Sequence, residues 1–315
     1  MMLNFRRLML LRDLAELGTI TAVAERRSIT TSAVSAQLRV LEDEVDAVLF
    51  RRDGRTLRLT HSGDVLLEEA RKILRVVDEA LTAVAATRDL SAGRVSISGF
   101  ETSIGSFAAP LLQRLGQEAP ELQIRVLQAD TPTSLRSVRQ GDIDIALASR
   151  LHFRPSEGLA GLHSLHLGDD PIVLIAPRRL HLQIRTNGLS ALADESWITG
   201  PPDTGLSATL DRLGEQAGFV PQVKHRVTGA PNVCHLAASG VGVAVVPLLS
   251  VPPSLVHMIV RDLDLGGRSI DVVHREGALR NPAVSLVVRT LRALAEERLA
   301  GTGVDFARGG LGAAS

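Results

Sequence analysis

The chain has 315 residues, with 35 Lys and Arg against 35 Asp and Glu, and this balance excludes a broadly basic nucleic-acid coat while leaving room for one local patch. A single cysteine, Cys234, excludes an intramolecular disulfide framework. Length and ordinary apolar content predict about two or three globular domains.

Arg6, Arg7 and Arg12 interleave with the first apolar residues, so no signal peptide is read at the amino terminus. Phe5, Leu8, Leu11, Ala15 and Leu17 lie near a helical period, predicting a helix over Phe5–Leu17. Gly18 suits its left-handed end, and Thr19 is placed to cap a short second helix carrying Ala22, Val23 and Arg26. Thr30 reads as the N-cap of a third helix reaching about Asp43, with Val34, Leu38 and Leu41 on one face. Thr31, Ser32, Ser35, Gln37 and Arg39 project elsewhere from it. Hydroxyls and amides donate and accept at base edges, so these five residues are candidate DNA contacts. Taken alone, the same residues also suit an amphipathic helix pair whose polar side faces water.

The next segment, Leu49-Phe50-Arg51-Arg52-Asp53-Gly54-Arg55-Thr56-Leu57-Arg58-Leu59-Thr60, sets Asp-Gly between two short alternating runs. Asp-Gly supplies a tight hairpin turn, which makes this a two-stranded wing. Arg51, Arg52 and Arg55, with Arg58, form a basic cluster opposed only by Asp53, as phosphate contacts require.

These residues carry a resemblance. Ala15-Glu16-Leu17-Gly18-Thr19-Ile20-Thr21-Ala22, Ser32-Ala33-Val34-Ser35, Gln37-Leu38, Leu41-Glu42, Leu49-Phe50, Arg52, Arg55, Leu59-Thr60 and Gly63 follow the order of the winged helix-turn-helix in LysR-type transcriptional regulators. Two departures stand out: Asp46 where that family usually has Gly, and Ala36 where it often has a long polar side chain. The resemblance implies a sequence-specific DNA-binding regulator modulated by a small-molecule effector, with no catalytic residues and no cofactor.

Thr60 is placed to cap a long helix from about His61 to Leu90. Leu66, Ala70, Ile73, Val77, Ala80 and Val84 form a stripe on it, widened by Leu67, Leu74 and Leu81. A linker helix cannot bury so broad a stripe alone. It packs either on its own domain or on a second subunit, and the resemblance favours the second. A two-fold protein would then read an interrupted inverted repeat in double-stranded DNA. The resemblance further implies a homodimer or homotetramer and makes RNA polymerase a candidate contact.

Beyond Ser91-Ala92-Gly93 the pattern alternates: a strand at 95–98, a helix at 107–118, a strand at Leu122–Gln128, a helix at 133–139 and a strand at 143–148. Such a βαβαβ progression predicts a mostly parallel sheet. A second round runs from 171–175 through Trp197-Ile198 to 243–247, and a strand at 269–274 with a helix at Pro282–Leu299 returns to the first lobe. Leu236 to Val256 is uncharged, but Gly240, Gly242, Pro247, Pro252 and Pro253 break it into helix, turn, strand and loop, so no membrane span is expected.

Two α/β lobes crossed twice resemble the effector domain of the same regulators, similar in turn to periplasmic binding proteins. Gln140-Gly141-Asp142-Ile143-Asp144 and Ala238-Ser239-Gly240-Val241-Gly242-Val243 are the local matches. The expected organisation is multi-domain: an all-α winged helix-turn-helix at 1–63, a linker helix at 64–91, and a two-lobed α/β periplasmic-binding-protein-like domain at 92–300. Its first lobe takes 92–149 and 262–300 and its second 150–261, with a Gly- and Ala-rich tail at 301–315. Thr102 and Ser103 open a helix after the first strand, where N–H groups and hydroxyls receive a carboxylate. With them, Thr131, Thr133, Ser149, Thr199 and Asn232 are the candidate effector contacts, and an anion is the candidate ligand class. Each also reads as an ordinary cap or turn residue.

His163 and His166 sit in alternating sequence that puts them on opposite faces of a strand, and Cys234-His235 lacks a second Cys at ligand spacing, so no metal site is expected. A solute-binding receptor would carry an export signal, and an enzyme a converging acid–base or nucleophile set; neither is read here. The expected location is the cytoplasm.

Overall fold

The structure, a computed structural model, describes residues 3–53, 56–86, 93–154 and 158–299. The linker's last residues, Ser91-Ala92 and the carboxy-terminal tail lie outside the described residues, as do Gly54 and Arg55.

Local caps define the amino-terminal helices. Asn4 caps α1 (Phe5–Leu17), and Gly18 ends it at φ 74°. Thr19 caps α2 (Ile20–Arg27) by accepting from the Ala22 N–H, and Thr30 caps α3 (Thr31–Val45) by accepting from the Ala33 N–H. Asp46 takes the left-handed conformation after α3 at φ 50°, a region where Asp is tolerated better than most residues. The wing pairs β1 (Phe50–Asp53) with β2 (Thr56–Leu59), matching Asp53 with Thr56. The turn read at Asp53-Gly54 lies partly outside the described residues.

The Thr60 hydroxyl accepts from the Gly63 N–H at the start of α4 (His61–Ala86). The apolar stripe of α4 divides. Leu67 and Ala70 are buried, with Leu66, Ile73 and Leu74 beside them, against Leu8, Leu11, Leu41 and Leu49 of the helix-turn-helix. Val84 of the stripe, and Val76 beside it, lie exposed further along. Arg71 on α4 also reaches the carboxy-terminal domain, with its Nε 3.3 Å from Asp142 Oδ1.

That domain begins with β3 (Gly93–Gly99). A short helical turn, α5 (Glu101–Ser103), runs through a π-helical segment (Ile104–Ala108) into α6 (Ala109–Glu118). The helix thus starts well before the apolar periodicity that marks it at Phe107. β4 (Leu122–Gln128), α7 (Thr131–Gln140) and β5 (Ile145–Leu151) follow, and β3 lies parallel to both β4 and β5.

The sheet then departs from the mostly parallel expectation. β6 (Leu162–Ile175) spans 14 residues and pairs antiparallel with β11 (Gly267–Arg275), which is antiparallel to β5 as well. Helical crossovers enforce parallel pairing; the return through β11 has no such helix, so the sheet is mixed. Residues 172–175 of β6 pair instead with β9 (Ala244–Pro247), and two of them also with β10 (Ile259–Val260). Between these lie α8 (Arg178–Asn187), β7 (Ser196–Thr199), α9 (Gly205–Ala217), β8 (Gln222–Arg226) and α10 (Ala230–Ala238). The chain therefore passes between lobes inside one strand. α11 (Pro282–Leu299) closes the first lobe, burying Val284, Val287, Val288 and Leu291 against Ile97, Phe107 and Leu111. The second lobe has its own core around Trp197, Leu174, Leu210 and Leu213. Among the described residues no helix is long and apolar enough to cross a membrane.

Candidate nucleic-acid interface and effector cleft

Burial of Val34, Leu38 and Leu41 against α1 and α2 turns the opposite side of α3 to solvent. Thr31, Ser32, Ala36 and Arg39 are exposed there, with Ala36 at its middle. Ser32 Oγ lies 3.0 Å from Thr30 Oγ1, and the Ser35 hydroxyl donates to the Thr31 carbonyl at 3.0 Å. Gln37 lies off this open side: it is half-buried toward α1, where its Oε1 accepts from Arg7 Nη1 at 3.1 Å. Arg7 also donates to Glu44, so Gln37 belongs to a joint between α1 and α3.

Glu42 sets the wing beside α3. One carboxylate oxygen accepts from the backbone N–H groups of Leu49 and Phe50, at 2.8 and 3.1 Å. Arg51 stands exposed on β1 directly opposite Arg58 on β2. The two guanidinium groups put positive charge on the wing, the charge that phosphate contacts use. Arg55 and the side chain of Arg52 lie outside the described residues.

Beneath this surface sits a group the sequence motifs did not mark. Asp13 is fully buried and accepts from Arg27 Nε at 2.5 Å and Arg12 Nη2 at 3.3 Å, tying α1 to α2. Burial pushes its carboxyl up, but the hydrogen bond from Arg27 and the charges of Arg27, Arg12 and Arg26 outweigh that and hold it below the ordinary value.

The effector candidates divide by lobe. Thr102 is half-buried and its Oγ1 lies 2.9 Å from Ser250 Oγ. Ser103 is fully buried, and its hydroxyl donates to the Phe100 carbonyl at 2.7 Å, so it closes its own helical turn. Thr131 and Ser149 meet: the Ser149 N–H donates to Thr131 Oγ1 at 3.0 Å. Thr133 supports the start of α7, its N–H donating to Asp130 at 2.8 Å. In the second lobe Thr199 is buried at the end of β7, with no hydrogen-bond partner for its hydroxyl among the described residues. Asn232 is exposed and donates to the Thr228 carbonyl. Glu101 crosses the gap between lobes: a Cβ at Gly229 would lie 2.7 Å from Glu101 Oε1. A carboxylate of the chain itself thus stands at the amino end of α10.

His163 and His166 both lie on β6; His163 stacks on His274, and His166 meets Asp271 at 3.1 Å. Among the described residues no group of three or more His, Cys, Asp or Glu is placed to hold a metal ion. Cys234 is buried in the second lobe, and desolvation pushes its thiol up to about 11. Native protein should therefore react with iodoacetamide at pH 8 roughly 100-fold more slowly than a free cysteine, because the thiolate is the nucleophile. Alkylation at the free-cysteine rate would show an open thiol.

Comparison with known proteins bears on both parts. Residues 5–64 match the bacterial regulatory helix-turn-helix of the lysR family, and residues 88–296 match the LysR substrate binding domain. The chain is 27% identical over 286 residues to the transcriptional regulator CfxR of Cupriavidus necator, covering 89% of this chain and 88% of CfxR. In fold it is similar to ArgP of Mycobacterium tuberculosis, with a TM-score of 0.67 and 24% identity over 93% of this chain and 98% of ArgP. It is also similar to CbnR, solved full length with its target DNA, with a TM-score of 0.60 and 20% identity over 93% of this chain and all of CbnR (100%). With both of its domains matched and regulators as its relatives, the chain belongs to the LysR family of DNA-binding transcriptional regulators.

Proposed function

We propose that the chain dimerises, reads an interrupted inverted repeat through α3 and the wing of each subunit, and adjusts that reading to a small polar effector held between the two lobes. The observation that carries the DNA reading is the joint made by Glu42, which fixes the basic wing beside the exposed side of α3. Thr31, Ser32 and Arg39 then face base edges, and Arg51 with its wing neighbours faces phosphate. Gln37 acts indirectly by holding α3 on Arg7.

Pairing is supported by α4, whose second half keeps Val76 and Val84 exposed after its first half has packed on the helix-turn-helix. A dimer of dimers and a cytoplasmic location complete the reading. For the effector, Thr102, Thr131 and Ser149 are the contacts the first lobe offers. Glu101 already places a carboxylate at α10, which favours an uncharged or cationic ligand over an anion. Such a ligand acts only through different affinities for two lobe arrangements.

Selection of genomic fragments by the purified protein at near-physiological salt should enrich an interrupted inverted repeat. On the selected operator, Ala36→Glu should lower affinity about 10- to 100-fold, the size of one or more lost base contacts, and leave the melting curve unchanged because the site is exposed. Undiminished operator binding by that variant would remove α3 from the interface.

A further inference from the structure

The stretch Leu248–Ser250, a 3-10 turn after β9, joins the lobes through a connected circuit of contacts. Leu249 packs against the first lobe's core, although β9 belongs to the second lobe's sheet. Its backbone N–H donates to Asp170 Oδ1 at 2.9 Å. Asp170, fully buried on β6, receives Arg268 of β11 through its other oxygen, with Nε at 3.0 Å and Nη2 at 2.8 Å. The Arg268 guanidinium lies 4.7 Å from the centre of the Phe100 ring. Two residues beyond Phe100, Thr102 Oγ1 returns to Ser250 Oγ at 2.9 Å and closes the circuit. The Ser250 carbonyl faces Cys234 Sγ of α10 at 3.9 Å. β6 and β11 are the strands along which the sheet runs from one lobe toward the other.

We infer that Leu248–Ser250 is a strap whose hold on the first lobe depends on the Thr102 hydroxyl, with Asp170 and Arg268 as its positioning residues. The inference rests on the cleft reading above and deepens it. A ligand that takes the Thr102 hydroxyl withdraws it from Ser250, and the strap loses its direct bond to the first lobe. The Leu249 anchors remain, its N–H on Asp170 at the strand junction and its side chain on the first lobe's core, so release at Thr102 lets the lobes turn about that point. Occupancy of the cleft is thereby converted into domain geometry with no contact between the ligand and β6 or β11.

The test needs no effector, so it stands or falls apart from whether the cleft binds one. Spin labels at Gln183→Cys on α8 and Arg289→Cys on α11, both exposed, report the interlobe distance in the full-length protein diluted with unlabelled subunits. Ser250→Ala and Thr102→Val should each shift the populations of that distance roughly fivefold, the scale of one net hydrogen bond, with no further change in the double variant. Thr102→Ser, which keeps the hydroxyl, should retain the parent distribution. Ser96→Ala, which removes a hydroxyl bonded to Asp144 inside the first lobe and away from the cleft contacts, should retain it too and separates the strap from general loosening. A parent-like distribution in both Ser250→Ala and Thr102→Val would overturn the inference.

Discussion

Replacing Asp13 with Asn should loosen the helix-turn-helix by about 2 to 3 kcal/mol. Removing one partner of a fully buried ion pair costs about 3 to 5 kcal/mol. The lower figure applies because Arg12 and Arg27 each keep 30% exposure and regain water when the carboxylate goes. The loss falls on the α1–α2 junction, upon which the orientation of α3 depends, so operator affinity should fall with it. Amide hydrogen exchange in the intact chain measures the local opening directly. The pH dependence has a fixed sign. Folding holds Asp13 below its ordinary value of 3.8, so the junction's contribution is complete above that value and is lost as pH falls through the depressed folded one. The Asn variant should lack this acid-side decline; unchanged exchange protection in α1 and α2 would remove Asp13 from the junction.

The features legible in the sequence are those whose partners lie close in the chain. Thr19 and Thr30 cap the helices they precede, Gly18 and Asp46 take the left-handed positions, and Leu122–Gln128 and Pro282–Leu299 form the elements their periodicity predicts. Each depends on a bond spanning a few residues or on a repeating apolar position. Gln37 shows the limit. Its amide is as fit for adenine as for Arg7, and only the packing of α1 on α3, 30 residues apart, settles its use. Thr102 and Ser250 are 148 residues apart and lie in unrelated patterns, so no local signal joins them. The long strand β6 was hidden differently. Pro171 reads as the start of a strand because proline rarely sits inside one. Here it falls where β6 passes from pairing with β11 to pairing with β9, and the missing N–H does not interrupt the strand.

The same junction carries the other large effect. Arg268→Met should destabilise the effector domain by about 3 to 5 kcal/mol, since it strands Asp170 as a buried charge without its cation. The contact of Arg268 with Phe100 disappears as well. Burial already pushes Asp170 above its ordinary range, with Arg268 and the backbone N–H groups of Leu249 and Leu248 pulling it back. Without Arg268 it rises further, so the folded variant holds its proton to higher pH than the unfolded chain does. Its deficit should therefore be smallest below the unfolded carboxylate range and grow as pH rises through the folded value. Trp197, the only tryptophan and fully buried in the second lobe, gives a fluorescence probe of urea unfolding that responds to that lobe. Pairing Arg268→Met with Asp170→Leu should recover most of the loss, because replacing a whole buried ion pair with apolar groups is often neutral. A pH-independent deficit, or a double variant no more stable than Arg268→Met alone, would mean that Arg268 matters through packing on Phe100 rather than through its charge. Recovery of stability should not restore control. The double variant still lacks the Asp170 carboxylate that anchors the Leu249 N–H, so its lobes should hold together while losing the fixed angle between them.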